Sequence, residues 1–255
     1  MLTRLEIKME PCQDLRVNAS SLLQGVLMEQ IDSDYAGYLH SLEMNPYTQH
    51  LEWRDGEPVW ILTTLTEEAE KQILQPLLSA DFKCICVKHK DIELAVREKT
   101  VKQVMYRDLL QETYFGSCGR TVEIEFVTPT AFKTGGKYRF YPTITHIFQS
   151  LARKHDGVRT DTEIFSEELM QEVDEKLEVT DYRLRSTRFH MEGVKIPAFL
   201  GTLRIRIHGP QQFVNLIHFL LQFGTYSGVG IKSSVGMGAM KVVEVQRRKE
   251  NEIER

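Results

Sequence analysis

Apolar and polar residues alternate from the start of this chain. Over residues 4–9 the apolar set Leu5, Ile7 and Met9 falls on one side, the period-two signature of a half-buried strand. The period then changes. Over residues 20–31, Leu22, Leu23, Val26, Leu27 and Ile31 recur at helical spacing, with Asn18 placed to cap the helix. Strand-like runs at 47–53 and 59–65 flank Arg54-Asp55-Gly56-Glu57, a hairpin signal. Helical spacing returns over 66–79, flawed by Pro76, and strands follow at 82–87 and 92–96.

The second half repeats this order. A strand at 121–127 carries Val122, Ile124 and Phe126, and a helix over 142–154 carries Ile144, Ile147, Phe148 and Leu151. Strands at 183–189 and 198–207 are expected to pair as a hairpin. A helix at 213–223 and a strand at 240–245 complete the set. The expected fold is α+β, two tandem ferredoxin-like (RRM-like) domains over residues 1–100 and 121–246. A linker over 101–120 would be partly helical through Val104, Leu109 and Leu110, and a charged tail over 247–255 would fray.

Between the last helix and the last strand stands Gly228-Val229-Gly230-Ile231-Lys232-Ser233-Ser234-Val235-Gly236-Met237-Gly238. Four glycines in eleven residues free the backbone, so N–H groups could converge on an oxyanion with Lys232, Ser233 and Ser234 beside them. A phosphate cradle is therefore expected here. It is not a Walker A loop, because the lysine lies inside it and Met and Ala follow the second glycine pair. The dinucleotide fingerprint also fails: Ser233 stands where the third glycine belongs, and the loop leaves a helix for a strand.

Charge narrows the ligand. Residues 10–70 hold twelve acidic side chains against Arg16 and Arg54. Residues 182–208 reverse the balance, with Arg183, Arg185, Arg188, Lys195, Arg204 and Arg206 against Glu192. A second basic stretch runs from Lys133 through Lys137, Arg139, Arg153 and Lys154 to Arg159, and residues 161–181 are again acidic. A polyanion footprint belongs in the C-terminal half, although the net charge of −4 speaks against a generic nucleic-acid binder. Cys84 and Cys86, a C-x-C in a strand, have no second cysteine pair. With Cys12 and Cys118 they read as buried reduced thiols, and no metal or other cofactor is expected. No apolar run approaches the ~20 residues that span a bilayer. The opening Met1-Leu2-Thr3-Arg4-Leu5-Glu6 does not read as a signal peptide, so a cytoplasmic protein without membrane association is expected.

Three segments together resemble one family. The glycine loop closing a second ferredoxin-like domain resembles that of the repeat-associated CRISPR protein (RAMP) superfamily. Phe126-Val127-Thr128-Pro129-Thr130-Ala131-Phe132-Lys133 is similar to the start of that superfamily's second domain. Residues 31–41, ending Leu39-His40-Ser41, resemble the segment bearing the active-site histidine of its cutting branch, the pre-crRNA endoribonucleases.

The resemblance implies metal-independent cleavage of CRISPR precursor RNA within its repeats. The upstream 2′-hydroxyl would attack phosphorus and leave 2′,3′-cyclic phosphate and 5′-hydroxyl ends. His40 is the implied proton-transfer residue, since a histidine titrates near working pH. The family's tyrosine has candidates in Tyr35 and Tyr47, whereas Tyr38 reads as packing. The family's lysine has no counterpart nearby, so the cation falls to Arg54, Lys133 or Lys232, with His50 a further polar neighbour that reads as surface. RNA contacts are expected from Lys133, Lys137, Arg139, Arg183, Arg185, Arg188, Arg204 and Arg206. In the loop they are expected from Gly228, Gly230, Lys232, Ser233, Ser234, Gly236 and Gly238. The implied partners are CRISPR repeat RNA, as pre-crRNA and crRNA, and a transient association with an effector complex; monomer and homodimer stay open. A non-catalytic RNA-binding subunit of an effector complex is the alternative, and a small-molecule-binding pair of domains a third.

Overall fold

The computed structural model describes residues 1–12, 19–87, 92–159, 161–191 and 193–243. The alternation at the start makes β1 (Leu2–Met9), which lies at the centre of a five-stranded antiparallel sheet. Its neighbours are β3 (Glu57–Thr64) and β5 (Ile92–Val104), with β2 (Tyr47–Arg54) and β4 (Cys84–Val87) at the two edges. Asp55 and Gly56 turn β2 into β3 with φ values of 52° and 82°, the left-handed pair that a two-residue hairpin needs. Leu5, Ile7, Leu62 and Trp60 are sealed beneath α1 (Ser20–Gln30), which contributes Leu23 and Leu27. The cap expected at Asn18 lies outside the described residues.

The second helical layer of this half departs from regularity where Pro76 demands it. A short α3 (Glu67–Ala69) leads into a π-helical turn, Glu70–Leu74, and then α4 (Gln75–Leu78), which has Pro76 in its first turn. Proline is tolerated there because first-turn N–H groups lack helical partners anyway. β5 also differs from the expectation of a strand ending at 96. It continues to Val104, with Leu2 opposite Val104 and Lys8 opposite Glu98, so part of the expected linker is sheet. Both faces of this stretch are largely exposed, and its polar sequence hid the strand. α5 (Tyr106–Glu112) follows.

The second sheet has the order β11-β6-β10-β9, the arrangement of a ferredoxin-like unit. Its strands are β6 (Thr121–Thr130), β9 (Leu177–Met191), β10 (Val194–Ile207) and β11 (Met240–Val243), the last short of the expected 245, which lies outside the described residues. A small hairpin, β7 (Phe132–Thr134) with β8 (Lys137–Arg139), leads into α6 (Ile144–Val158). α6 and α8 (Gln211–Ser227) bury Phe148, Leu151, Phe219 and Phe223 against the sheet. The acidic stretch after residue 160 contains a helix that the hydropathy pattern missed, α7 (Glu167–Lys176). It is capped by the Ser166 hydroxyl, which accepts from the Leu169 N–H, and is held by Leu169, Met170 and Val173.

The two units meet where β1 and β2 face the end of α8, the segment that follows it, and β11. Arg4 donates to the Thr225 carbonyl at 2.5 Å and lies over the Tyr226 ring, and the Thr48 hydroxyl donates to the Tyr226 carbonyl. Lys241 of β11 reaches Glu52 of β2 at 2.8 Å.

Candidate active centre and nucleic-acid interface

The residues around His40 form a helix of their own. In α2 (Ser33–Ser41) the Asp32 carboxylate caps the first turn, accepting from the N–H groups of Asp34 and Tyr35 at 2.9 and 3.1 Å. Leu39 pins the helix to the first core, which leaves His40 exposed in the last turn. Tyr38 is 53% exposed, so the packing expected for it is partial, through its ring against Tyr35. Tyr35 is half-buried, its ring 5.7 Å from that of Tyr38, and burial pushes its phenol up to about 12. It therefore stays protonated, a hydrogen-bond donor.

Beyond α2 the chain passes through Leu42, Glu43 and Met44, which form one wall of a cleft of about 570 Å³ between the two units. The facing wall comes from the C-terminal half: Lys133, His146, Gln149, Arg153 and Gly230. His146 stacks on Phe132 with 5.5 Å between ring centres, and its Nδ1 lies 2.8 Å from the Thr143 hydroxyl. Lys133 and Arg153 are exposed, the Lys133 ammonium lying over the Tyr138 ring at 6.0 Å and the Arg153 guanidinium over Phe165 at 4.6 Å.

The glycine segment differs in part from the expected phosphate cradle, because most of its N–H groups are spent within the fold. The N–H groups of Val229, Ile231 and Gly238 donate to the carbonyls of Gly238, Ala131 and Pro129, and those of Val235 and Met237 to Lys232. Gly228 donates to Gly224, and Gly230 to the Ser150 hydroxyl at 2.8 Å. Donors spent in this way are not available to a ligand. Gly238, at a φ of 71°, packs so closely on the Val229 carbonyl that a side chain would overlap it, and Gly236 packs likewise on Ser20 of the first unit. The segment is a brace, and Lys232 keeps partial exposure at its left-handed corner, φ 57°.

Under the brace lies a residue that the sequence counted only as part of a basic stretch. Lys154 is buried beside the cleft, donating to the Ser227 carbonyl at 2.9 Å and to the Ser233 hydroxyl at 2.8 Å. Burial pushes its ammonium down to about 7. Its helical spacing from Ser150 puts both brace contacts on one face of α6.

Tyr47 is buried at the foot of the same segment, near Gln24 and Ser234, and burial pushes its phenol up to about 12. The Asn45 amide donates to the Ser234 hydroxyl at 3.2 Å and so ties the first unit to the brace.

Arg54, expected as a possible cation for the reaction, is engaged by Glu6 at 2.7 Å and by Glu52 at 3.0 Å. His50 is buried, not on the surface, and its Nε2 lies 3.0 Å from Glu52. Burial holds the imidazole pKa down, so it donates as a neutral ring. Burial alone would raise the Glu52 pKa, but hydrogen bonds from His50 and Lys241 outweigh this and hold it well below the carboxylate range.

Among the RNA contacts expected on the second sheet, Arg183, Arg185, Arg188 and Arg206 are exposed, whereas Arg204 is paired with Glu123 at 2.6 Å. The cysteines also differ from expectation. Cys86 is exposed and Cys84 half-buried, with sulfurs 3.6 Å apart and Glu93 beside them. Hydrogen bonds with Cys86 and Glu93 push the Cys84 thiol up to about 11, which disfavours the thiolate that a metal would need.

The sequence model of the CRISPR-associated endoribonuclease Cas6 matches residues 124–240. A CRISPR-associated endoribonuclease Cas6 of Mycobacterium tuberculosis is 35% identical over 246 residues, covering 94% of this chain and 78% of its own length. One from Streptococcus thermophilus is 34% identical, covering 92% of this chain and 93% of its own length. This chain belongs to the Cas6 family. It is an endoribonuclease that processes CRISPR precursor RNA. The fold agrees: a Cas6 product complex superposes with a TM-score of 0.79 at 21% identity, covering 95% of this chain and 100% of the other. A Cas6 from Thermus thermophilus superposes at 0.73 and 21% identity, covering 95% and 98%. Among the described residues no helix is long and apolar enough to cross a membrane.

Proposed function

We propose that this Cas6 cuts repeat RNA without a metal ion, by attack of the 2′-hydroxyl upstream of the scissile bond. The 2′-oxygen–phosphorus bond forms and the phosphorus–5′-oxygen bond breaks. One proton leaves the 2′-hydroxyl and one joins the 5′-oxygen, giving a 2′,3′-cyclic phosphate and a 5′-hydroxyl. The observation that carries this reading is the placement of His40. It is the exposed imidazole in the last turn of α2, immediately before the wall of a cleft whose opposite side is cationic.

His40 takes one proton-transfer role. Tyr35 is a donor to the RNA beside it. Tyr47, enclosed with Gln24 and Ser234, is a positioning residue. Lys133 and Arg153 supply the positive charge that a phosphorane needs, the role for which Arg54 is already spent. The exposed arginines of β9 hold the rest of the repeat through its phosphates. Incubation of the protein with repeat RNA in excess EDTA, followed by analysis of product ends, tests the chemistry. Cyclic phosphate ends are expected, and 3′-hydroxyl ends or no cutting in EDTA would refute it.

A further inference from the structure

A second concave surface lies outside the cleft. β9 begins as α7 ends at Lys176, so the part of its helix-side face at Tyr182 and Leu184 has no helix over it. In the β9–β10 register Tyr182 stands opposite Leu203 and Ser186 opposite Phe199, and the 140–144 segment closes the other side. The result is a groove of about 450 Å³ walled by Phe140, Tyr141, Tyr182, Leu184, Arg185 and Phe199. Three of its rings are open to solvent: Phe140 is 47%, Tyr141 76% and Tyr182 66% exposed. Aromatic exposure on this scale, gathered in one groove, marks a recognition surface.

We propose that this groove takes an unpaired base of the RNA, stacked on Tyr141 and Tyr182, with the adjoining phosphate on Arg185. The inference rests on the RNA-processing activity and names a subsite that the cleft does not contain. Two observations choose RNA over another occupant. Residues 131–153 carry the exposed cations Lys133, Lys137, Arg139 and Arg153 with no Asp or Glu, and residues 182–191 carry three arginines with none. Rings interleaved with cations suit a base and its phosphate, whereas an apolar peptide or a second copy of this chain gains nothing from the charges. The groove also lies beside the cleft. Phe199 in its floor stacks on Phe132 at 6.1 Å, and Phe132, which lines the cleft, stacks on His146 at 5.5 Å, so buried rings separate the two surfaces.

The test uses full-length protein and repeat RNA carrying 5-iodouridine at single positions, photocrosslinked and mapped by peptide mass, together with Kd for Tyr182→Ala, Tyr141→Ala and Tyr182→Phe. Crosslinks to residues 140–144 or 182–186 are expected. Loss of one stacking ring raises Kd roughly tenfold, and Tyr182→Phe restores affinity. Both tyrosines are exposed, so unchanged melting temperatures are expected to accompany the loss. Wild-type affinity in both alanine variants overturns the proposal. So does a dimer, seen by light scattering, that Tyr182→Ala dissociates without weakening RNA binding. If the wild-type protein neither binds nor cuts repeat RNA, the underlying activity fails with it. Normal cutting with crosslinks confined to the cleft overturns the groove alone.

Discussion

Lys154 donates to the Ser233 hydroxyl at 2.8 Å from a buried position, so an amine on α6 holds the corner of the glycine segment. Burial brings its pKa to about 7, against an ordinary 10.5. Between those values the unfolded chain binds a proton that the folded chain lacks, so this residue makes stability rise with pH from 7 to about 10. Below pH 7 both states carry the proton and the cost of the buried charge is complete. Urea midpoints of Lys154→Met are expected to rise less across pH 7–10 than those of the wild type. Parallel curves would remove Lys154 from this role.

Glu52 links the two units through Lys241 and also takes hydrogen bonds from His50 and Arg54. Its pKa is depressed in the folded state, so its contribution is present above the ordinary carboxylate value of 4.5 and fades as pH falls through the lower folded value. Glu52→Gln is expected to unfold at a higher pH in an acid titration followed by circular dichroism. An unshifted acid midpoint would show that the pair contributes little.

On the proposed mechanism His40 transfers a proton and Tyr47 positions the site. His40→Ala is expected to slow single-turnover cleavage by about 10²–10⁴-fold while RNA binding persists. Tyr47→Phe removes a buried hydroxyl near Gln24 and Ser234 and is expected to cost about 1 kcal/mol of stability by melting analysis while reducing the rate less than tenfold. A Tyr47→Phe loss as large as that of His40→Ala would place the phenol on the reacting atoms instead.

Lys133 and Arg153 are exposed on the cleft wall, where each is expected to neutralise a phosphate. Each alanine variant should flatten the plot of log affinity against log salt by about 0.7, the single-strand value for one phosphate contact. Arg204, already paired with Glu123, should flatten it less when replaced. Equal slopes for all three would deny that the cleft is the main phosphate track.

Much of the architecture was legible because strand and helix periods are written locally. The alternation around Leu5 and Ile7, the Asp55-Gly56 turn and the helical spacing in α8 all reappear where expected. What escaped was hidden by exposure. The end of β5 and the start of β9 show no alternation because neither face is covered, and α7 was masked by its charges. The residue pattern around His40 drew attention to α2, but nothing local could show that Lys133 and Arg153 stand across a cleft from the segment that follows it.

The glycine segment marks the limit most clearly. Its composition showed by itself that the backbone must turn tightly, because four glycines with positive φ are a local steric fact. Which of its N–H groups were free for an anion depended on Ala131, Pro129 and Ser150, residues about 80 to 110 positions away, which take those of Ile231, Gly238 and Gly230. The charge of Lys154 was equally plain in the sequence, but only its burial made it a brace. Local sequence sets which conformations and chemical groups are available. Tertiary packing decides which donors and charges remain for a substrate, because each buried polar group must find its partner within the fold.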